Sequence, residues 1–202
     1  MEIKNVKSLK KLKEYYNFIT RVFYDDAVQY KEHYYPMYNF HDKLMEQYEK
    51  DKSLILYLED KNEIVGTICI KDMKDDECTI DAVTVRKDHR NKGYATILIK
   101  EIESRLKKKN IKRISLGARL RASKLYLDNG YAPQLLIQVN DFANIDMIKK
   151  ANIYNFKILN EYQNDVCGAV FFEVKDIKKS VISYFEKEVP TAHAMYIFTK
   201  EI

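Results

Sequence analysis

Tryptophan is absent from this chain, and residues that break regular structure are scarce, with three prolines and five glycines in 202 residues. So few breakers leave little room for a long flexible linker. Cysteine is scarce too. Cys69, Cys78 and Cys167 form no CxxC pair and no ligand spacing with histidine. Each is expected as a small buried hydrophobe in a reducing, cytoplasmic setting. His33, His41, His89 and His193 are dispersed. Without a Ser/Asp partner pattern or HExxH, they support neither nucleophilic catalysis nor a metal centre. Met1–Val6 carries no apolar signal core, and no hydrophobic run approaches a membrane span, so no membrane partner is expected. An excess of one charge is also missing: 35 basic against 30 acidic residues give a net +5. That is too mild for a nucleic-acid partner, and the basic stretch Lys107–Arg113 reads as the end of a helix.

Hydrophobic residues make up 46% of the chain, enough for a packed core. Glu2–Val6 reads as a short strand. Leu9, Leu12, Tyr15, Tyr16, Ile19, Val22 and Phe23 recur at helical spacing, with Ser8 as N-cap and an end near Tyr24. Asp25–Tyr38 reads as a loop or short helical turns, and Phe40–Lys50 as a second helix. Ser53–Leu58 and Ile64–Ile70 form a hairpin across the polar turn Asp60–Glu63. A strand Cys78–Arg86 follows, then a helix Ala95–Lys109, a strand Arg113–Leu116 and a short helix Ala122–Asp128 closed by Asn129-Gly130. From Leu135 onward the order is strand, helix, strand, strand, helix, strand, which is the ferredoxin-like signature. It suits either a second small domain or an extension of the first sheet.

Residues 83–95 carry the strongest local signal. They run Val-Thr-Val-Arg-Lys-Asp-His-Arg-Asn-Lys-Gly-Tyr-Ala, a strand entering a basic turn with one glycine and then a helix. Such a turn can aim several backbone N–H groups at one anion, and the helix adds its unpaired first-turn donors and positive dipole end. This is the sequence form of a phosphate cradle. A solvated basic loop before a helix is the plainer alternative.

The element order and these residues resemble the GNAT superfamily of acetyl-CoA-dependent N-acetyltransferases. The family turn has Arg or Gln, two residues, Gly, one residue, then Gly or Ala; here it is Arg90-Asn-Lys-Gly93-Tyr-Ala95. Ile64-Val65-Gly66 resembles the third family strand, and Leu98-Ile99 the aliphatic pair of the following helix. Ala122, Leu125, Tyr126, Gly130 and Tyr131 resemble the second family motif. The likeness spans roughly residues 1–133. A family Asn before the second motif falls on Arg119, and the common core offers no counterpart for the chain after about residue 140. The expected architecture is therefore an α/β acyltransferase fold with a mixed central sheet over 1–133, followed over 134–202 by a βαββαβ-like (ferredoxin-like) α+β domain or extension.

The resemblance implies acetyl-CoA as cosubstrate, with its diphosphate on the backbone of Asn91, Lys92, Gly93, Tyr94, Ala95 and Thr96 and with charge from Arg90 and Lys92. It implies backbone hydrogen bonds from Val83 and Val85 to the pantetheine, while their side chains serve the core. It places Tyr126 as general acid toward the thiolate. For the base, strand alternation puts Glu77, Thr79, Asp81, Val83 and Val85 on one face; Asp81 is the first candidate and Glu77 the second, and either could instead be half of an ion pair. Asp25, Asp26, Tyr30 and Tyr34, between the first two helices, suit a cationic small-molecule or peptide amine through charge and cation–π contact, although the tyrosines could simply cover the core. Direct attack in a ternary complex needs no cysteine. The rival readings are a coenzyme A-binding regulatory module without catalysis and a protein whose main task lies in its C-terminal half. An exposed strand edge there would suit a homodimer.

Overall fold

The computed structural model describes residues 1–31, 40–140, 145–164 and 166–202. The chain forms two compact units, Met1–Ile114 with Glu201–Ile202, and Ser115–Lys200.

The first unit carries β1 (Glu2–Asn5), α1 (Leu9–Tyr30), α2 (Phe40–Lys50), β2 (Ile55–Asp60), β3 (Glu63–Lys74), β4 (Glu77–Val85), α3 (Tyr94–Lys107) and the start of β5 (Arg113–Gly117). Strands β1 to β4 are antiparallel neighbours in sequence order. Ser8 caps α1 as expected, its hydroxyl accepting from Lys11 N at 3.2 Å. The helix runs past Tyr24, however, to Tyr30, where Lys31 closes it in the left-handed conformation. Asp25, Asp26 and Tyr30 thus lie on its last turns and not in a loop. Lys61 and Asn62 both take positive φ, as a two-residue hairpin twisting with its strands requires. The second strand starts at Ile55, because Asp51 accepts from Ser53 N and winds Lys52–Leu54 into a 3₁₀ turn. One sheet face packs on α1 and α2 through Leu12, Tyr15, Ile19, Leu44, Ile55, Cys69 and Ala82. The other meets α3, whose Leu98 crowds Gly66: a Cβ there would lie 3.2 Å from the leucine methyl.

The β3–β4 ladder is interrupted twice. Cys69 faces Ala82 but Ile70 faces Ile80, leaving Asp81 as the extra residue of a bulge on β4; then Asp72 faces Thr79, leaving Lys71 extra on β3. Strict alternation along β4 therefore fails. Gly66 faces both Leu98 and Val85, so Val83 and Val85 belong to the α3 side. Ala82 packs in the α1 and α2 cluster, and the bulge turns Asp81 to that side with Thr79 and Glu77. The expected single face of five residues is two faces, divided at the bulge.

The second unit continues β5 and adds α4 (Ser123–Asp128), β6 (Ala132–Val139), α5 (Ile145–Lys150), β7 (Ile158–Gln163), β8 (Gly168–Glu173), α6 (Lys179–Glu188) and β9 (His193–Glu201). Its strands lie in the order β9-β6-β8-β7, with antiparallel neighbours. Phe172, Phe185 and Phe198 are fully buried in it. Gly130, at φ +82°, turns the chain out of α4.

Candidate active site

After β4 the chain makes a 3₁₀ turn, Lys87–His89, and Asn91 and Gly93 then take φ of 60° and 79°. Gly93 is the N-cap of α3 and offers no side chain to the helix donors. His89 N donates to Arg86 O and Arg90 N to Lys87 O, and the next backbone bond runs from Ile97 N to Gly93 O. Between them, the N–H groups of Asn91, Lys92, Gly93, Tyr94 and Ala95 donate to no carbonyl among the described residues. Thr96 shares the same first helical turn. No heavy atom lies within 4 Å of the point where a Cβ would stand on Gly93. Positive-φ backbone at the start of a helix is the geometry of an anion nest.

Several charged side chains of this turn are held in ion pairs. Arg86 bridges Glu63 at 2.6 Å and Asp88 at 2.9 Å. His89 Nδ1 lies 2.8 Å from Asp88, and the His89 and Arg86 contacts hold the Asp88 carboxyl down at about 2. The Lys92 ammonium donates to the Asp88 carbonyl at 3.0 Å. Arg90 pairs with Asp26 at 2.9 Å and donates through Nε to Val85 O at 2.9 Å. Two residues expected to meet different ligands are thus brought together. The guanidinium of Arg90 ties the end of α1 to the end of β4, and Asp26 is buried beneath it. Asp25 is exposed on the same helix, 3.9 Å from Arg21. Tyr30 is exposed one turn later, and Tyr34 lies outside the described residues.

On β4, Arg86 N donates to Val65 O. Antiparallel ladders alternate, so the N–H and C=O groups of Val85 and Val83 point away from β3. One of these four groups, Val85 O, accepts from Arg90. The Val85 side chain is buried, as expected of a core residue, while that of Val83 is half-buried. Glu77 is exposed and pairs with Arg113 at 3.2 Å. Asp81 is half-buried and has neither a hydrogen bond nor an ion pair among the described residues. Burial raises its carboxyl above the ordinary range, against the pull of Lys71 and Lys43. The two acids expected as bases therefore differ: Glu77 is held in an ion pair, and Asp81 is not, among the described residues.

In the second unit, Tyr126 lies on α4 with its ring against Tyr131 and Phe198. Burial pushes its hydroxyl up to about 12, so it stays protonated at neutral pH. Sequence reasoning took Tyr15 for a helix-face hydrophobe. It is fully buried, and its hydroxyl has no hydrogen-bond partner among the described residues. Helical periodicity reports the buried face and says nothing of a polar atom at its tip. Cys69 and Cys78 are buried as expected, with thiols pushed up to about 12 by burial.

Among the described residues no group of three His, Cys, Asp or Glu is placed to hold a metal ion, and no helix is long and apolar enough to cross a membrane. Residues 14–131 match the model of the acetyltransferase (GNAT) family. No curated protein matches the sequence. Several solved structures are similar in fold. An acetyltransferase of the GNAT family from Staphylococcus aureus Mu50 is 15% identical, with a TM-score of 0.55 over 84% of this chain and 98% of that one. One from Streptococcus pneumoniae is 14% identical, with a TM-score of 0.55 over 100% and 99%. A ribosomal-protein-alanine N-acetyltransferase from Brucella melitensis is 12% identical, with a TM-score of 0.53 over 100% of both chains.

Proposed function

Because the chain belongs to the acetyltransferase (GNAT) family, we propose that it moves an acetyl group from acetyl-CoA to a primary amine by direct attack in a ternary complex. The protein is an α/β acyltransferase of the GNAT fold with a mixed sheet, and acetyl-CoA is its cosubstrate. The observation that carries the finer reading is the row of N–H groups from Asn91 to Ala95 beside an open Gly93. It fits a diphosphate, because closely spaced donors and a helix N-terminus favour doubly charged oxyanions and the glycine lets them come close. Arg90 shapes this turn through Val85 and Asp26, and Lys92 shapes it through Asp88 while keeping its charge nearby.

The thioester supplies an activated acetyl carbon. The acceptor nitrogen must first lose a proton, since an alkylammonium has a pKa of about 10.4. Asp81 takes that proton on its carboxylate; its raised affinity for protons and its lack of an ion pair among the described residues suit the task. Glu77 is the second choice, and its pairing with Arg113 counts against it. The N–H and C=O groups of Val83 and Val85 that point away from β3 serve the pantetheine arm, the Val85 carbonyl being shared with Arg90. The Tyr126 hydroxyl donates to the leaving sulfur. With the phenol near 12 and a thiol near 8.5, it stabilises the thiolate by a hydrogen bond more than by giving up its proton. Exposed Asp25 and Tyr30 attract a cationic acceptor, with Asp26 acting through Arg90.

We also read the strand order β9-β6-β8-β7 as a ferredoxin-like α+β segment following the acetyltransferase domain, and strand β7, exposed at each of its residues, as an edge for a second copy.

Calorimetric titration with acetyl-CoA, beside Gly93→Val, tests the cradle. We expect binding by the native chain and a loss of about tenfold or more in the variant, since a β-branched residue at positive φ is strained and fills the open approach. Equal binding by both would overturn the placement of the diphosphate.

A further inference from the structure

A buried polar cluster lies on the α1 side of the β4 bulge. Tyr15 of α1 is 0% exposed, with its hydroxyl unpartnered among the described residues. It packs in one cluster with Cys69 of β3 and Ala82 of β4. Thr67, also fully buried, lies close to the phenol, but its hydroxyl is joined to that of Thr84. The Cys69 thiol beside Tyr15 is a weak partner at best. Among the described residues the remaining polar neighbour is Asp81, which the bulge turns to this same face and which has neither a hydrogen bond nor an ion pair there. A fully buried phenol and a half-buried carboxylate lie on one face of the sheet, beside Cys69 and Ala82, and neither has a hydrogen-bond partner among the described residues; each would be costly alone.

We infer that Tyr15 is a positioning residue for Asp81, its hydroxyl holding the carboxylate through one bridging water. Tyr15, Asp81, Thr67 and Cys69 together offer the polar contacts a buried water needs. The phenol is held by core packing, so it fixes the direction in which the carboxylate faces. In the reaction one N–H bond of the acceptor ammonium breaks and one O–H bond forms on Asp81, while Tyr15 keeps its own proton. Among the described residues, the other charged and titratable groups facing Asp81 are Lys43 from α2, Lys71, Asp72 and Cys69 from β3, and Tyr15 from α1. Both lysines favour the carboxylate, and Asp72 opposes it. This inference rests on the reading of Asp81 as the base.

The test needs no acceptor. In full-length protein labelled with ¹³C-aspartate, the side-chain carboxyls are titrated by NMR, the Asp81 signal being assigned by its loss in Asp81→Asn. A hydrogen bond from the phenol favours the charged carboxylate. Tyr15→Phe should therefore move the Asp81 midpoint up by about one pH unit, with the other aspartates unchanged. Cys69→Ser is the second variant. It keeps the shape and gives the phenol a competing partner, so it should move the midpoint the same way by less. If neither variant moves the Asp81 midpoint, the inference is overturned, and a purely structural Tyr15 would give that result. The parent reading fails separately, if Asp81→Asn acetylates amines at the native rate.

Discussion

The turn after β4 and the bulge within β4 lie a few residues apart and are built from opposite materials. In the turn, the side chains satisfy one another: Arg86 with Glu63 and Asp88, His89 with Asp88, and Arg90 with Asp26. What remains is backbone, five N–H groups around a glycine. At the bulge the backbone is mostly absorbed in a ladder, and what remains is side chain, a carboxylate and a phenol that have no hydrogen-bond partner among the described residues. The lesson concerns the kind of ligand each can serve. Fixed peptide dipoles in a basic turn suit a permanent anion whose binding must not vary with pH. An unpaired, half-buried carboxylate suits a proton that must come and go.

The contrast can be broken by mutation. The largest effect is expected at the bulge, where Asp81→Asn should lower kcat by about 100-fold or more with acetyl-CoA affinity kept, as steady-state rates and calorimetry would show. Loss of affinity instead would mean that the carboxylate shapes the cosubstrate site. In the turn, Asn91→Gly should keep acetyl-CoA affinity within about threefold, because the N–H group is retained and positive φ is easy for glycine; a large loss would show that the Asn91 side chain contributes. Asp26→Ala should cost about 2 kcal/mol in denaturant unfolding, since it leaves the Arg90 guanidinium half-buried and without its carboxylate. Thiol labelling should find Cys167 first, with Cys69 and Cys78 spared until the protein unfolds.

The smallest effect is one of pH. The Asp88 carboxyl is held at about 2 in the folded chain, below its ordinary value of 3.8. The depressed value means that the folded state binds this proton less readily than the unfolded one. The contribution to stability is present above pH 4 and falls away between pH 4 and 2. Asp88→Asn should remove that part of the acid dependence in pH-resolved melts, and an unchanged profile would show that the His89 and Arg86 contacts do not persist in solution.

Much of this was legible from residues alone, for a local reason. Gly93 in a basic strand-to-helix turn, Ser8 before α1, Lys61-Asn62 in a hairpin and Gly130 after α4 act through their own φ, ψ and neighbouring N–H groups, which sequence spacing reports directly. The end of α1 was misjudged because Asp25–Tyr30 has weak periodicity, yet Asp26 is buried there by its pairing with Arg90. The faces of β4 were misjudged because alternation assumes an unbroken ladder, and whether a ladder is broken depends on its partner strand.

By itself, the amino-acid sequence determined the order of elements, the glycine turn before α3 and the likeness to an acyltransferase family, since these follow from short-range conformational preference and the hydrophobic period. Only the tertiary structure decided that Arg90 meets Asp26, that Glu77 is held by Arg113 while Asp81 is not, and that Tyr15 faces the bulge. Each of these depends on groups distant in the chain and on a one-residue shift in strand register, a shift that leaves the composition of both strands unchanged and reverses which side every later residue faces.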